Sequence, residues 1–218
     1  GFGLSAAYKY SPPANQRNLV GDQFDYILMV STLEPRKNHS LLIKAWETLK
    51  YTVRPNLKLI LVGGWGWDFN PILKEIKPWQ ERGDLYLLQN VAADELRILY
   101  RHAVATICPS FAEGFDYSGV EAMRCGCPVV SADIPVHREI YQDASLYFDP
   151  YSASDAAATI AQLTATDAKE LSQSLIERGR VIANNYLPER ILSQWAEFFA
   201  RHRPMARRGK GERLRLNR

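Results

Sequence analysis

Short apolar runs alternate with stretches of helical spacing from Tyr26 to Phe148. The first, Tyr26-Ile27-Leu28-Met29-Val30, is continuous, which suits a parallel strand covered on both faces. A helix is expected over 38–50, with Leu41, Leu42, Ala45, Trp46 and Leu49 on one face. A strand over 57–62 precedes a helix over 71–82, where Pro71 suits the first turn and Pro78 should kink or end the helix early. The alternation continues through strand 85–88, helix 94–102, strand 104–108, helix 118–125, strand 129–131, helix 136–141 and strand 146–148. Six strands separated by helices predict an α/β fold, a single Rossmann-like, doubly wound parallel sheet with right-handed crossovers. From Ser152 the chain reads as helical, and its last helix carries Ile191, Leu192, Trp195, Phe198 and Phe199 on one face. The expected division is an N-terminal segment 1–25, an α/β domain 26–187, a C-terminal helix 188–203 and a basic tail 204–218.

Composition leaves that class unchanged. The 218 residues are 46% hydrophobic and 23% charged, which excludes a disordered chain. No apolar run approaches the roughly 18 residues of a spanning helix, and the N-terminus lacks a secretory pattern. Cys108, Cys125 and Cys127 are odd in number and lack a second close pair, which argues against a disulfide framework or zinc site and fits a reducing cytoplasm. Charge does change the picture. The net +3 divides into +7 over residues 201–218 and −4 over residues 1–200. The acidic body gives no case for a nucleic-acid-binding surface. The tail, with Arg207, Arg208, Lys210, Arg213, Arg215 and Arg218, reads either as a solvated terminus or as peripheral contact with an anionic inner membrane face.

The chemistry-bearing stretch follows the 104–108 strand: Ser110-Phe111-Ala112-Glu113-Gly114-Phe115-Asp116-Tyr117-Ser118-Gly119-Val120-Glu121-Ala122-Met123. A strand-to-helix turn in a doubly wound sheet lies at the carboxyl edge, where ligands bind. The N–H groups of the helix's first turn favour an anion there. Ser118-x-x-Glu121 has the form of a capping box, a role that leaves room for a ligand contact. Glu113 has no evident structural partner and reads as a ligand-binding carboxylate.

Glu113-Gly114-Phe115 through Glu121-Ala122-Met123-Arg124-Cys125-Gly126-Cys127-Pro128-Val129-Val130 resembles the E-x7-E signature of retaining GT-B glycosyltransferases, most of all their family 4. The resemblance runs over about residues 26–150, through Thr32-Leu33-Glu34-Pro35-Arg36-Lys37-Asn38, Leu61-Val62-Gly63-Gly64 and Ala132-Asp133-Ile134-Pro135. It implies the C-terminal, donor-binding domain of a two-domain enzyme whose active site lies between the domains. The residues before Tyr26 are too few to form the acceptor-binding domain, so the expectation is either a fragment of a longer protein, the favoured reading, or a half whose counterpart is a separate chain, inactive alone in both cases. The implied substrate is a nucleotide diphosphate sugar, with no metal and no other cofactor. Similarity to bacterial polysaccharide mannosyltransferases favours GDP-mannose as donor and a glycan or lipid-linked acceptor.

By the same resemblance, Lys37 and Arg36 contact the diphosphate, together with backbone amides from Gly114 to Gly119. Many relatives carry an arginine five residues before the lysine, where this chain has Thr32, and a hydroxyl cannot replace a guanidinium fork. Glu113, with Lys37 the implied catalytic pair, holds the sugar hydroxyls, and Glu121 grips the ribose diol. Phe115, Asp116, Tyr117 and Ser118 replace a commoner Gly-Leu-Pro form and are expected to reshape the sugar pocket. Gly63 and Gly64 should let backbone approach the base, over an apolar floor at Val91. Trp65 and Trp67 either stack on a ligand or pack. His102 and His137 have no neighbouring nucleophile and are not read as catalytic bases. Two alternatives stand: a non-catalytic nucleotide-sugar binding module, and a nicotinamide-dependent oxidoreductase, which Gly63-Gly64-Trp65-Gly66 disfavours because it is not G-x-G-x-x-G.

Overall fold

The structure, a computed structural model, describes residues 24–165 and 167–202. Most of the expected segment 1–25 and all of the basic tail 204–218 lie outside the described residues. The elements in order are β1 (Tyr26–Val30), α1 (His39–Thr52), β2 (Lys58–Val62), α2 (Asn70–Glu81), β3 (Leu85–Leu88), α3 (Ala93–His102) and β4 (Ala105–Cys108). They continue with α4 (Tyr117–Cys125), β5 (Val129–Ala132), α5 (Pro135–Tyr141), β6 (Ser145–Phe148), α6 (Ala153–Thr164), α7 (Lys169–Asn184) and α8 (Pro188–Arg201).

The expected six-stranded, doubly wound sheet is present, wholly parallel, in the order β3-β2-β1-β4-β5-β6. Strand side chains alternate between faces, so each apolar strand feeds two cores. Ile27 and Met29 join Leu42, Trp46, Ile76 and Ile160 on one side. Tyr26 and Leu28 join Tyr100, Val120, Met123 and Tyr141 on the other. The helices after β1 and β4 therefore leave on opposite faces. β1 pairs with β2 along its whole length, but with β4 only at Ile27↔Ala105 and Leu28↔Thr106. Beyond that point the two strands part. The gap is a narrow crevice lined by Ser31, Lys37, Ser110, Asp116 and Ser118, among others.

Two local expectations are corrected. α2 runs through Pro78 to Glu81, because Trp79 is buried and packs edge-on against Trp46 at 4.9 Å, holding the last turn. α4 begins at Tyr117 with Asp116 as its cap, so Ser118 is not the N-cap and the Ser118/Glu121 capping box does not form. Gly63 also lies close to the chain's own backbone: a Cβ there would stand 1.9 Å from the Ser31 carbonyl oxygen. On α8 only Ile191 is buried, while Leu192, Trp195, Phe198 and Phe199 are exposed. Among the described residues no helix is long and apolar enough to cross a membrane.

Two neighbouring glycines separate backbone fit from tolerance. Gly63→Ala should destabilise the chain by about 3 kcal/mol, the upper range for overpacking against unyielding atoms. Gly64→Ala, where a Cβ meets nothing within 4 Å, should stay within about 0.5 kcal/mol of wild type. Urea unfolding midpoints of the two variants check this; equal midpoints would refute the assignment.

Candidate functional site

The site is built where the loop after β1 meets the loop after β4. Pro35–Lys37 forms a 3-10 turn, and Asn38 closes it in the left-handed region at φ 60°. Asn tolerates that conformation better than most residues. Its buried side-chain amide donates to the carbonyls of Pro109, at 3.0 Å, and Pro150, at 2.9 Å. The Phe111 amide donates to the Arg36 carbonyl at 3.0 Å. These bonds clamp the two loops together from below and set Arg36 and Lys37 against Glu113.

The expectation that Glu113 lacks a structural partner is overturned. Its side chain is only 5% exposed and is clasped by Lys37 Nζ at 2.5 Å and Arg36 Nη1 at 2.7 Å. Arg36 also donates to the Ala112 carbonyl and pairs with Glu34, both at 2.7 Å. Partial burial opposes ionisation of the guanidinium, but Glu113 and Glu34 win and push Arg36 up from its ordinary value. Thr32 donates to Glu34 at 3.2 Å and thereby joins the cluster. Two cations and two carboxylates leave the cluster close to neutral.

The remaining expected residues are spread around this clasp. Gly114 faces open space, and Gly119 is buried in the first turn of α4. Phe115 turns inward onto Tyr186, at 5.2 Å, whereas Tyr117 is 39% exposed. Asp116 was expected to reshape the sugar pocket, but its carboxylate is buried and accepts from the Ser118 amide and hydroxyl. Glu121, on α4, accepts from the buried Tyr100 hydroxyl of α3 at 3.3 Å. Gly63, Gly64 and Val91 stand beyond β2 and β3, one and two strands outward, hence about 5 and 10 Å from β1. Trp65 stacks on Phe69 at 5.0 Å and remains half exposed, as does Trp67. His102 ends α3. Burial and the nearby Asp116 charge raise the Cys108 thiol well above its usual value, and burial first of all pushes Cys125 and Cys127 up to about 12. None of the three is a thiolate nucleophile at neutral pH.

Residues 13–181, most of the chain, match the family of glycosyl transferases group 1. The chain belongs to that family. Over 137 residues it is 35% identical to O-antigen chain mannosyltransferase B of Escherichia coli, a match covering 63% of this chain and 36% of that protein. The chain thus spans about a third of the length of that curated relative. Sucrose-phosphate synthase from Thermosynechococcus elongatus shares the fold with a TM-score of 0.78 and 22% identity, over 92% of this chain and 51% of that one. Anabaena HepE, solved in complex with UDP and glucose, follows with a TM-score of 0.71 and 23% identity, over 84% and 50%.

Sequence reasoning missed three residues of this group 1 glycosyl transferase site. Asn38 is the clamp between the loops; its signal was an αL-tolerant residue directly before a helix. His137 meets the cap Asp116 from α5, which no spacing announced. His39, the first residue of α1, is buried with Nε2 3.3 Å from Ser31 Oγ. Burial, and then the Lys37 ammonium, lower its imidazole from 6.5 to about 4. The unfolded chain therefore takes up the proton more readily than the fold does. The stability this ring contributes is whole above about pH 6.5 and drains away as pH falls towards 4, by up to about 3 kcal/mol. Urea unfolding at pH 7 and pH 4.5 should show a steeper loss for wild type than for His39→Gln. Parallel losses would mean that the fold accommodates the charged ring.

Proposed function

We propose that this chain is the donor-binding half of a retaining glycosyltransferase of the GT-B, family 4 kind. It takes mannose from GDP-mannose and delivers it to a glycan or lipid-linked acceptor held by a further domain. The observation that carries this reading is the clasp of Glu113 by Lys37 and Arg36 across the parting of β1 and β4. A neutral cluster is a poor trap for a simple anion. It suits a ligand that brings phosphates and hydroxyls together: the phosphates draw the cations, and the released carboxylate accepts from the sugar. A nucleotide diphosphate sugar has both parts. The UDP and glucose bound to HepE support a donor of that class. Likeness to an O-antigen mannosyltransferase supports mannose.

In this mechanism Lys37 and Arg36 meet the charge that grows on the departing diphosphate, where preorganised cations act most strongly. Glu113 holds the sugar hydroxyls and so orients the anomeric carbon. The acceptor hydroxyl attacks from the face that the phosphate leaves, and the phosphate takes its proton, so the configuration is retained. Glu121 receives the ribose hydroxyls from the first turns of α4.

Calorimetric titration with GDP, GDP-mannose, guanosine and NAD tests the reading. Lys37→Ala should weaken GDP by about 1.5–3 kcal/mol, as for hydrogen bonds to charged groups, and leave guanosine unchanged. Glu113→Gln leaves the cluster positive, so GDP should bind at least as well while the extra affinity for GDP-mannose disappears. Equal loss of GDP and guanosine in Lys37→Ala, or a wild-type preference for NAD, would overturn the proposed function.

A further inference from the structure

A buried polar network at the edge of the crevice holds the start of α4. Asp116 is 5% exposed and His137, on α5, is fully buried. Asp116 Oδ1 accepts from the Ser118 amide at 3.1 Å and from its hydroxyl at 2.6 Å. Oδ2 faces His137 Nε2 at 3.2 Å, an ion-pair contact outside hydrogen-bonding geometry. The other ring nitrogen, Nδ1, lies 2.8 Å from the Ala132 carbonyl. A carbonyl and a carboxylate can only accept, so both ring nitrogens face acceptors. Burial alone would raise the Asp116 carboxyl, but the contact with His137 and its charge, with donation from Ser118, hold it well below the usual carboxylate range. Tyr141 completes the network: its ring stacks on His137 at 5.2 Å and its hydroxyl donates to the Asp116 carbonyl at 3.3 Å. It fits because Gly119 has no Cβ, which would stand 2.2 Å from that hydroxyl.

Stability does not account for this arrangement. An exposed serine or aspartate would cap α4 as well. A buried ion pair replaced by apolar side chains is often neutral or more stable. What the pair adds is direction. With Oδ1 bonded to Ser118 and Oδ2 against His137, the first turn of α4 is linked to the corner between β5 and α5 as well as to its own loop.

We propose that His137 is a positioning residue for the donor diphosphate: through Asp116 it fixes the first turn of α4 at the edge of the crevice without touching the ligand. The proposal rests on the donor-binding reading above. Its test titrates GDP and guanosine into the 218-residue chain as wild type, His137→Leu, His137→Gln and Asp116→Ser/His137→Leu. The double variant keeps a capping hydroxyl and removes the buried carboxylate together with its ring partner, so its unfolding midpoint should recover to that of wild type, whereas His137→Leu alone, which strands the Asp116 charge, should unfold earlier. Both should bind GDP about tenfold more weakly, roughly the loss of one hydrogen bond to a charged group. Guanosine affinity should hold. His137→Gln, which keeps a polar N–H group able to face Asp116, should bind GDP closer to wild type than to His137→Leu. Recovery of GDP affinity together with stability in the double variant would overturn the proposal and leave a packing role. So would equal weakening of GDP and guanosine, or a His137→Gln variant as weak as His137→Leu. A wild type that binds no GDP would instead sink the donor reading, and this proposal with it.

Discussion

Two parallel strands whose following helices leave on opposite faces cannot keep their carboxyl ends sealed, and the site follows from that constraint. β1 and β4 share two paired positions and then part. α1 departs towards the core of Trp46 and α4 towards that of Tyr100, so no single layer bridges the gap. Two loops with polar contents remain to face each other. The clamp of Asn38 on Pro109 and Pro150 holds them at the distance at which Lys37 and Arg36 can reach Glu113. A crevice opened by topology is in this way closed by chemistry, with exchangeable ion pairs where a core would have apolar side chains.

Those ion pairs are partly shielded from water, which makes them stronger than exposed ones and makes their balance matter. Each cation has a carboxylate and each carboxylate a cation. Such a cluster carries two signs in close contact and little net charge. The same setting keeps His39 neutral, because a proton on it would stand buried beside the Lys37 ammonium. Membership of the group 1 glycosyl transferases agrees with this arrangement, and the fold likeness at 22–23% identity speaks to architecture alone. The weight of the functional reading therefore rests on the site.

The hydrophobic pattern by itself determined the architecture. Strands that are apolar on both faces, separated by amphipathic helices, have few ways to bury themselves other than a doubly wound parallel sheet, and every strand and helix from β1 to β6 lies within a few residues of its expected place. The pattern also marked Glu113, Glu121 and Lys37 as residues at a carboxyl edge, since a loop's position after a strand is a local property. Local too was the amphipathic face of α8, legible in the spacing of Leu192, Trp195 and Phe199.

Partnership was decided only by the tertiary structure. Lys37 and Glu113 are separated by 76 residues, and their contact exists because β1 lies beside β4, a fact of strand order that no local window contains. The cap of α4 is a sharper case. Ser118 and Glu121 have the spacing of a capping box, yet Asp116 takes the place because His137, from another helix, compensates its buried charge. A short-range motif offers a helix several possible starts of similar energy; the burial of a charged side chain, settled by what packs over it, selects one.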